Sequence, residues 1–187
     1  MPHPKKTAES RLPGDPTRAE IVDRMIRVDH AGEYGAVRIY AGQLAVMGRR
    51  HRLSPVIRHM EKQEQRHLKK FDALVLEHQV RPTALAPFWH MAGFALGAAT
   101  ALMGENAAMA CTAAVEEVIE EHYSEQLEKL GDDDKPLRDT ISDFRAEEVE
   151  HKTKALAEGA ADTPGYTLLS SAIKTGCRAA IWLSKRI

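Results

Sequence analysis

In four stretches of this sequence a glutamate stands inside a stripe of apolar residues that recur at three- and four-residue steps. Such steps put side chains on one face of an α-helix, and no alternating run of β-branched residues argues for a sheet. The stripes read Ile26, His30, Glu33, Val37, Tyr40, Leu44, Met47 in the first stretch and Ile57, Met60, Glu64, His67, Phe71, Leu74 in the second. In the third they read Met109, Ala113, Glu116, Ile119, Tyr123, Leu127, Leu130, with Glu117, Glu121, Ser124 and Glu128 on a separate polar face. In the fourth they read Leu137, Ile141, Phe144, Glu148, His151, Ala155. A chain that folds on these stripes brings four carboxylates into its core.

The helix ends are marked by local chemistry. Thr17 suits an N-cap for a helix over 18–48, and GRRHRLSP ends it. Ser54, with Pro55 at the first helical position, starts a second helix reaching 78. A linker with Pro82 and Pro87 leads to a third helical region over 88–130, expected to bend near Gly104. GDDDKP makes the next turn, a fourth helix covers 136–158, and a last helix runs over 166–187.

Position along these helices pairs the glutamates. Glu33 and Glu64 are equidistant from the turn at Gly48, and Glu116 and Glu148 from the turn at GDDDKP. In an antiparallel hairpin such residues face each other at one height. Each second helix also carries Glu-x-x-His, as EQRH at 64–67 and EVEH at 148–151. With 17 Glu and 9 His in 187 residues, about one such match is expected by chance, so placement has to decide. The placement is a repeat: two hairpins, each with a Glu, a gap of 30 or 31 residues, then Glu-x-x-His.

Four carboxylates desolvated at one level cost several kcal/mol per ion even after relaxation, on the order found for buried charges generally. Two divalent cations neutralise them. In Glu-x-x-His the side chains lie one turn apart on one face, so the carboxylate can bridge two metals while the imidazole binds one. Mixed carboxylate and imidazole donors suit iron or manganese better than zinc. The candidate ligands are Glu33, Glu64, His67, Glu116, Glu148 and His151, with Glu64 and Glu148 as bridges. A Glu from each of two helices with Glu-x-x-His from two others is the ligand pattern of ferritin-like di-iron carboxylate proteins. The expected fold is therefore all-α: a ferritin-like four-helix bundle of two hairpins, with an additional C-terminal amphipathic helix.

Composition narrows the function classes. A net charge of -1 gives no pull toward nucleic acid. Cys111 and Cys177 stand alone, without a CxxC, which removes disulfide frameworks and rubredoxin-type sites. Residues 1–17, with four prolines and no apolar run, read as a flexible arm before one domain over 18–187. The uncharged segment 84–104 is long enough to cross a bilayer but rich in Ala and Gly, so a buried or interfacial helix is expected over a span. In the last helix Leu169, Ala172, Ile173, Gly176, Ala180 and Leu183 face one way. Lys174, Arg178, Lys185 and Arg186 face another, as in an interfacial helix or one lying against the bundle. Trp89 and Trp182 suit headgroup depth.

The strings RVDHAGEYGAVRIYAGQ, EKQEQRHLKKF, AVEEVIEEHY and FRAEEVEHK, with the closing GCRAAIWLSKRI, resemble the demethoxyubiquinone hydroxylases of ubiquinone biosynthesis. The resemblance covers about residues 20–187 and places that family's ligands on the same six residues. It implies two iron ions per chain and an O2-dependent monooxygenase. Its substrate would be a polyprenylated demethoxyubiquinol, 2-polyprenyl-3-methyl-6-methoxy-1,4-benzoquinol. It further implies a part for His122 and Tyr123 in electron or proton delivery.

The partners implied are O2, the quinol and a membrane surface, with room for a lipid-presenting protein of the same pathway and for a homo-oligomer. The place implied is peripheral, on the cytoplasmic face of a bacterial cell membrane or the matrix face of the mitochondrial inner membrane. A ferritin-like ferroxidase or peroxide-handling protein uses the same ligands, and a non-catalytic lipid-binding scaffold is a third class. The ferroxidase class calls for a cage-forming polar exterior or an added Cys cluster.

Overall fold

A computed structural model of the chain describes residue 12 and residues 14–131 and 134–187. Positions 1–11 and 13 of the expected arm lie outside the described residues. Among the described residues there are six α-helices and no strand: α1 (Arg18–Met47), α2 (Ser54–Glu77), α3 (Ala86–Leu102), α4 (Glu105–Leu130), α5 (Lys135–Ala157) and α6 (Tyr166–Ser184). A short 3-10 turn at Ala160–Asp162 precedes α6. The ferritin-like bundle consists of α1 and α2 as one hairpin and α4 and α5 as the other.

Helix starts follow the sequence closely. Thr17 caps α1, accepting from the Glu20 backbone N–H while Glu20 accepts from the Thr17 N–H, a capping box. Ser54 does not act as a cap. Leu53 holds that position, and the Ser54 hydroxyl donates to the Gly48 carbonyl at 2.6 Å, tying the end of α1 to the start of α2. Gly48 itself has φ 71°, a left-handed backbone that other residues adopt at a cost.

The expected bent helix over 88–130 is two helices. Gly104, at φ 122° and ψ 166°, breaks the chain between α3 and α4 instead of bending it. The break frees α3 to leave the bundle and lie across the outside of α1. Backbones touch there: a Cβ on Gly97 would sit 1.9 Å from the Ile39 carbonyl oxygen, and one on Gly42 2.2 Å from that of Phe94. The small residues of 84–104, which made the segment weakly apolar, serve this close approach. No helix of the described residues is long and apolar enough to cross a membrane.

The core lies in two layers along the bundle axis. One comprises Ile26, Phe71, Leu74, Leu130, Leu137, Ile141 and Phe144, the other Tyr40, Ile57, Met60, Met109, Ala113 and Ala155. Burying one such large side chain stabilises by about 1.5–3 kcal/mol. The four glutamates sit between the layers, where the apolar stripes are interrupted. The α6 helix packs on α4 through Ile173 and Cys177, and Lys174 and Arg178 pair with Glu117 and Glu121 at 2.6 and 2.8 Å. The polar face of α4 is thus the seat of α6.

Candidate metal centre

All six residues picked out by spacing converge in the middle of the bundle, each 2% exposed or less. Their donor atoms form two overlapping groups, Glu33, Glu64, His67 and Glu148, and Glu64, Glu116, Glu148 and His151. Within each group the atoms lie within 4.8 Å of one another. Glu64 and Glu148 belong to both. His67 Nδ1 is 3.3 Å from Glu33 and 3.2 Å from Glu148, and His151 Nδ1 is 3.0 Å from Glu64.

Partners outside the cluster orient these side chains. His67 Nε2 lies 3.2 Å from a Glu147 oxygen and His151 Nε2 3.1 Å from Gln63 Oε1. A carboxylate or amide oxygen accepts, so each Nε2 carries a proton and each Nδ1 is the nitrogen that faces the cluster. The Gln63 amide also donates to Glu147 at 2.9 Å, which links the two supports across the hairpins. Tyr40 donates to Glu116 at 2.5 Å, and Tyr123 donates to Glu33. Sequence periodicity missed Gln63, Glu147 and the Tyr40 hydroxyl. One signal was present: Gln63 and Glu147 each directly precede a bridging Glu, so the repeat extends to them.

Several donor atoms remain without a partner. Glu33 Oε2, both Glu64 oxygens, Glu116 Oε2, both Glu148 oxygens and Nδ1 of both histidines are buried with no hydrogen bond. A buried polar atom left unpaired costs about 1–3 kcal/mol, and here all of them point at one place. Burial first, then neighbouring carboxylates, push Glu64 and Glu116 well above the usual carboxylate range. Burial also raises Glu148, against the pull of His67. At Glu33 burial is outweighed by His67 and Tyr123, and the carboxyl sits below its ordinary value. Burial opposes charge on His67, yet Glu148 and Glu33 raise its ring to about 10, whereas burial lowers His151. The cluster concentrates more carboxylate than its own donors satisfy, and cations there would meet both the charge and the unpaired atoms.

Beside the centre lies a cavity of about 550 Å³ between α1, α3, α4 and α6. Its walls are apolar, with Val28, Ile39, Leu96, Val115, Leu169 and Ile173, and it reaches Glu33 and Tyr123 at its inner end. Ala172 and Gly176 line it and are exposed, so it comes to the surface along α6. The apolar stripe of α6 therefore faces this cavity. Trp89 also lines it, donating its indole N–H to Ser184 at 3.1 Å, while Trp182 is 55% exposed under the Arg186 guanidinium. His122 and Tyr123 stand on the wall between cavity and cluster. His122 Nε2 lies 3.3 Å from Asp29 and 2.9 Å from the Gln126 amide nitrogen.

The chain is similar over nearly its whole length to proteins of one activity. A 3-demethoxyubiquinol 3-hydroxylase of Rhodospirillum rubrum is 58% identical over 183 residues, covering 98% of this chain and 86% of that protein. The NADPH-dependent 3-demethoxyubiquinone 3-hydroxylase, mitochondrial, of Rattus norvegicus is 54% identical over 88% of this chain and 77% of its own length. The 5-demethoxyubiquinone hydroxylase, mitochondrial, of Saccharomyces cerevisiae is 43% identical over 91% and 80%. Residues 20–184, which include all six clustered residues and the cavity, match the model of the ubiquinone biosynthesis protein COQ7, and the chain belongs to that family.

Proposed function

We propose that this chain is an O2-dependent di-iron monooxygenase that hydroxylates the ring of a polyprenylated demethoxyubiquinol in ubiquinone biosynthesis. The observation that carries this reading is the junction of two overlapping ligand groups with an apolar cavity at Glu33 and Tyr123. The residues fit two iron ions: eight buried donor atoms without partners converge there, all oxygen or imidazole nitrogen. Glu33 and His67 would hold one iron, Glu116 and His151 the other, and Glu64 and Glu148 both. When bound, the iron pair supplies the reduction of O2 that a bare side chain cannot perform.

The protein's own residues do the rest. Glu147 and Gln63 keep each imidazole turned with Nδ1 inward. Burial foremost, then Glu33, keep the Tyr123 hydroxyl protonated far above its ordinary range, so it stays a donor to Glu33 at the cavity wall. This supports a part for Tyr123, with His122 beside it, in moving a proton or electron between cavity and centre. The apolar walls accept the ring, exclude water from it, and leave the isoprenoid tail a way out along α6.

A lipid substrate calls for attachment to a membrane surface without a span. Phe88 and Met91 on α3, and Leu168 and Trp182 on α6, are more than half exposed on the two helices that flank the cavity. In a bacterium the surface is the cytoplasmic face of the cell membrane, in a mitochondrion the matrix face of the inner membrane. A lipid-presenting protein or a second copy of the chain would meet the same helices. The test is metal analysis with turnover: anaerobically loaded protein should hold two iron ions per chain and convert a short-tailed demethoxyquinol. Oxidation and storage of iron with no change to the quinol would put a ferroxidase in its place.

A further inference from the structure

One side-chain oxygen on the cavity wall outside the metal cluster is buried and has no partner: Oδ2 of Asp29. Asp29 is 3% exposed, on α1, one turn before Glu33 and on the same cavity. Its other oxygen is engaged, taking the Gln126 amide N–H at 2.7 Å with His122 Nε2 at 3.3 Å. Of the other polar groups of the wall, Trp89 donates to Ser184, Tyr123 donates to Glu33, and His122 Nε2 lies against Asp29 and Gln126.

We infer that Asp29 Oδ2 accepts the hydrogen bond of a ring hydroxyl of the quinol, which sets the ring beside Glu33 with its open carbon toward the metal centre. This rests on the reading of the cavity as the quinol site. A hydroxyl is the group that satisfies a bare carboxylate oxygen in an otherwise apolar pocket. Burial, against His122 and Gln126, pushes the Asp29 carboxyl above its usual range, in keeping with a group that lacks a donor. The assignment predicts a preference for the reduced ring, since a quinone offers no hydroxyl to donate.

Calorimetric titration of the anaerobic, iron-loaded protein tests it with two probes, a short-tailed demethoxyquinol and its ring dimethyl ether. Wild type should bind the quinol about tenfold or more tightly than the ether, the margin of a hydrogen bond to a charged group. In Asp29→Asn the Gln126 N–H holds the new amide oxygen in the Oδ1 place and leaves NH2, a donor, where Oδ2 was. That variant should lose the preference for the quinol. Equal binding of both probes by wild type overturns the assignment without need of any variant, as does a preference kept by Asp29→Asn. If wild type binds neither probe, the cavity itself is not the quinol site and the assignment falls with it.

Discussion

At the scale of single residues, sharing decides how much each ligand is worth. Glu148→Ala or Glu64→Ala should lower iron content by more than one ion per chain, whereas Glu116→Ala should spare the ion at Glu33 and His67; full occupancy in Glu148→Ala contradicts the bridging assignment. Glu147→Ala and Gln63→Ala should each weaken iron binding by about 10–100-fold, measured by competition with a chelator, because they free an imidazole to turn. Protonation gives a further expectation. His67 holds its proton more tightly in the fold than unfolded, so its contribution to stability is whole below pH 6.5 and lost as pH rises through about 10. The raised carboxyls of Glu64, Glu116 and Glu148 act in the same sense, and Glu33, held low, in the opposite one. Metal-free protein should therefore melt at lower temperature as pH rises across that window, and iron should remove the trend; a rising melting temperature in the metal-free form contradicts it. The burial of the six clustered residues was legible because a Glu inside an apolar stripe declares it. Asp29 was less plain: it shares that helix face, three residues after Ile26 and four before Glu33, and only the placement of His122 and Gln126 on α4 shows it buried against the bundle.

At the scale of elements, the α1–α3 contact depends on missing side chains. Gly97→Ala drives a methyl into the Ile39 backbone at 1.9 Å and should cost about 1–3 kcal/mol in chemical denaturation. Gly176→Ala meets nothing within 4 Å and should be neutral or stabilising by roughly 0.5–1 kcal/mol, the gain from removing a helix glycine. Equal losses would mean that the glycines serve flexibility, not approach. The hairpins were readable from periodicity, and the buried set of α5 is the stripe read from sequence residue for residue. The split at Gly104 was harder to see, since a helix stripe continues in phase across a bend and only the backbone angle of the glycine separates bend from break. The seating of α6 on Glu117 and Glu121 was hidden for a related reason: a charged face reads as solvated until its partner is placed.

At the scale of the whole molecule, two hairpins hold the candidate metal centre while α3 and α6, outside them, wall the cavity beside it. This division separates binding metal from reaching substrate. Replacing Phe88 and Trp182 with Ser should reduce sedimentation with phospholipid vesicles and leave iron content at two per chain; unchanged sedimentation would move the membrane contact elsewhere. The sequence showed the centre more clearly than the entrance because ligands repeat at fixed spacing, whereas a cavity is the space that four helices leave between them. The central claim is that the centre transfers oxygen from O2 to a ring held in that cavity. A single turnover of reduced, iron-loaded protein with a short-tailed demethoxyquinol under ¹⁸O₂, read by mass spectrometry, tests it most directly. The account predicts a hydroxylated quinol carrying one ¹⁸O atom. Product oxygen drawn from water, or consumption of O2 with the quinol ring left unhydroxylated, would contradict it.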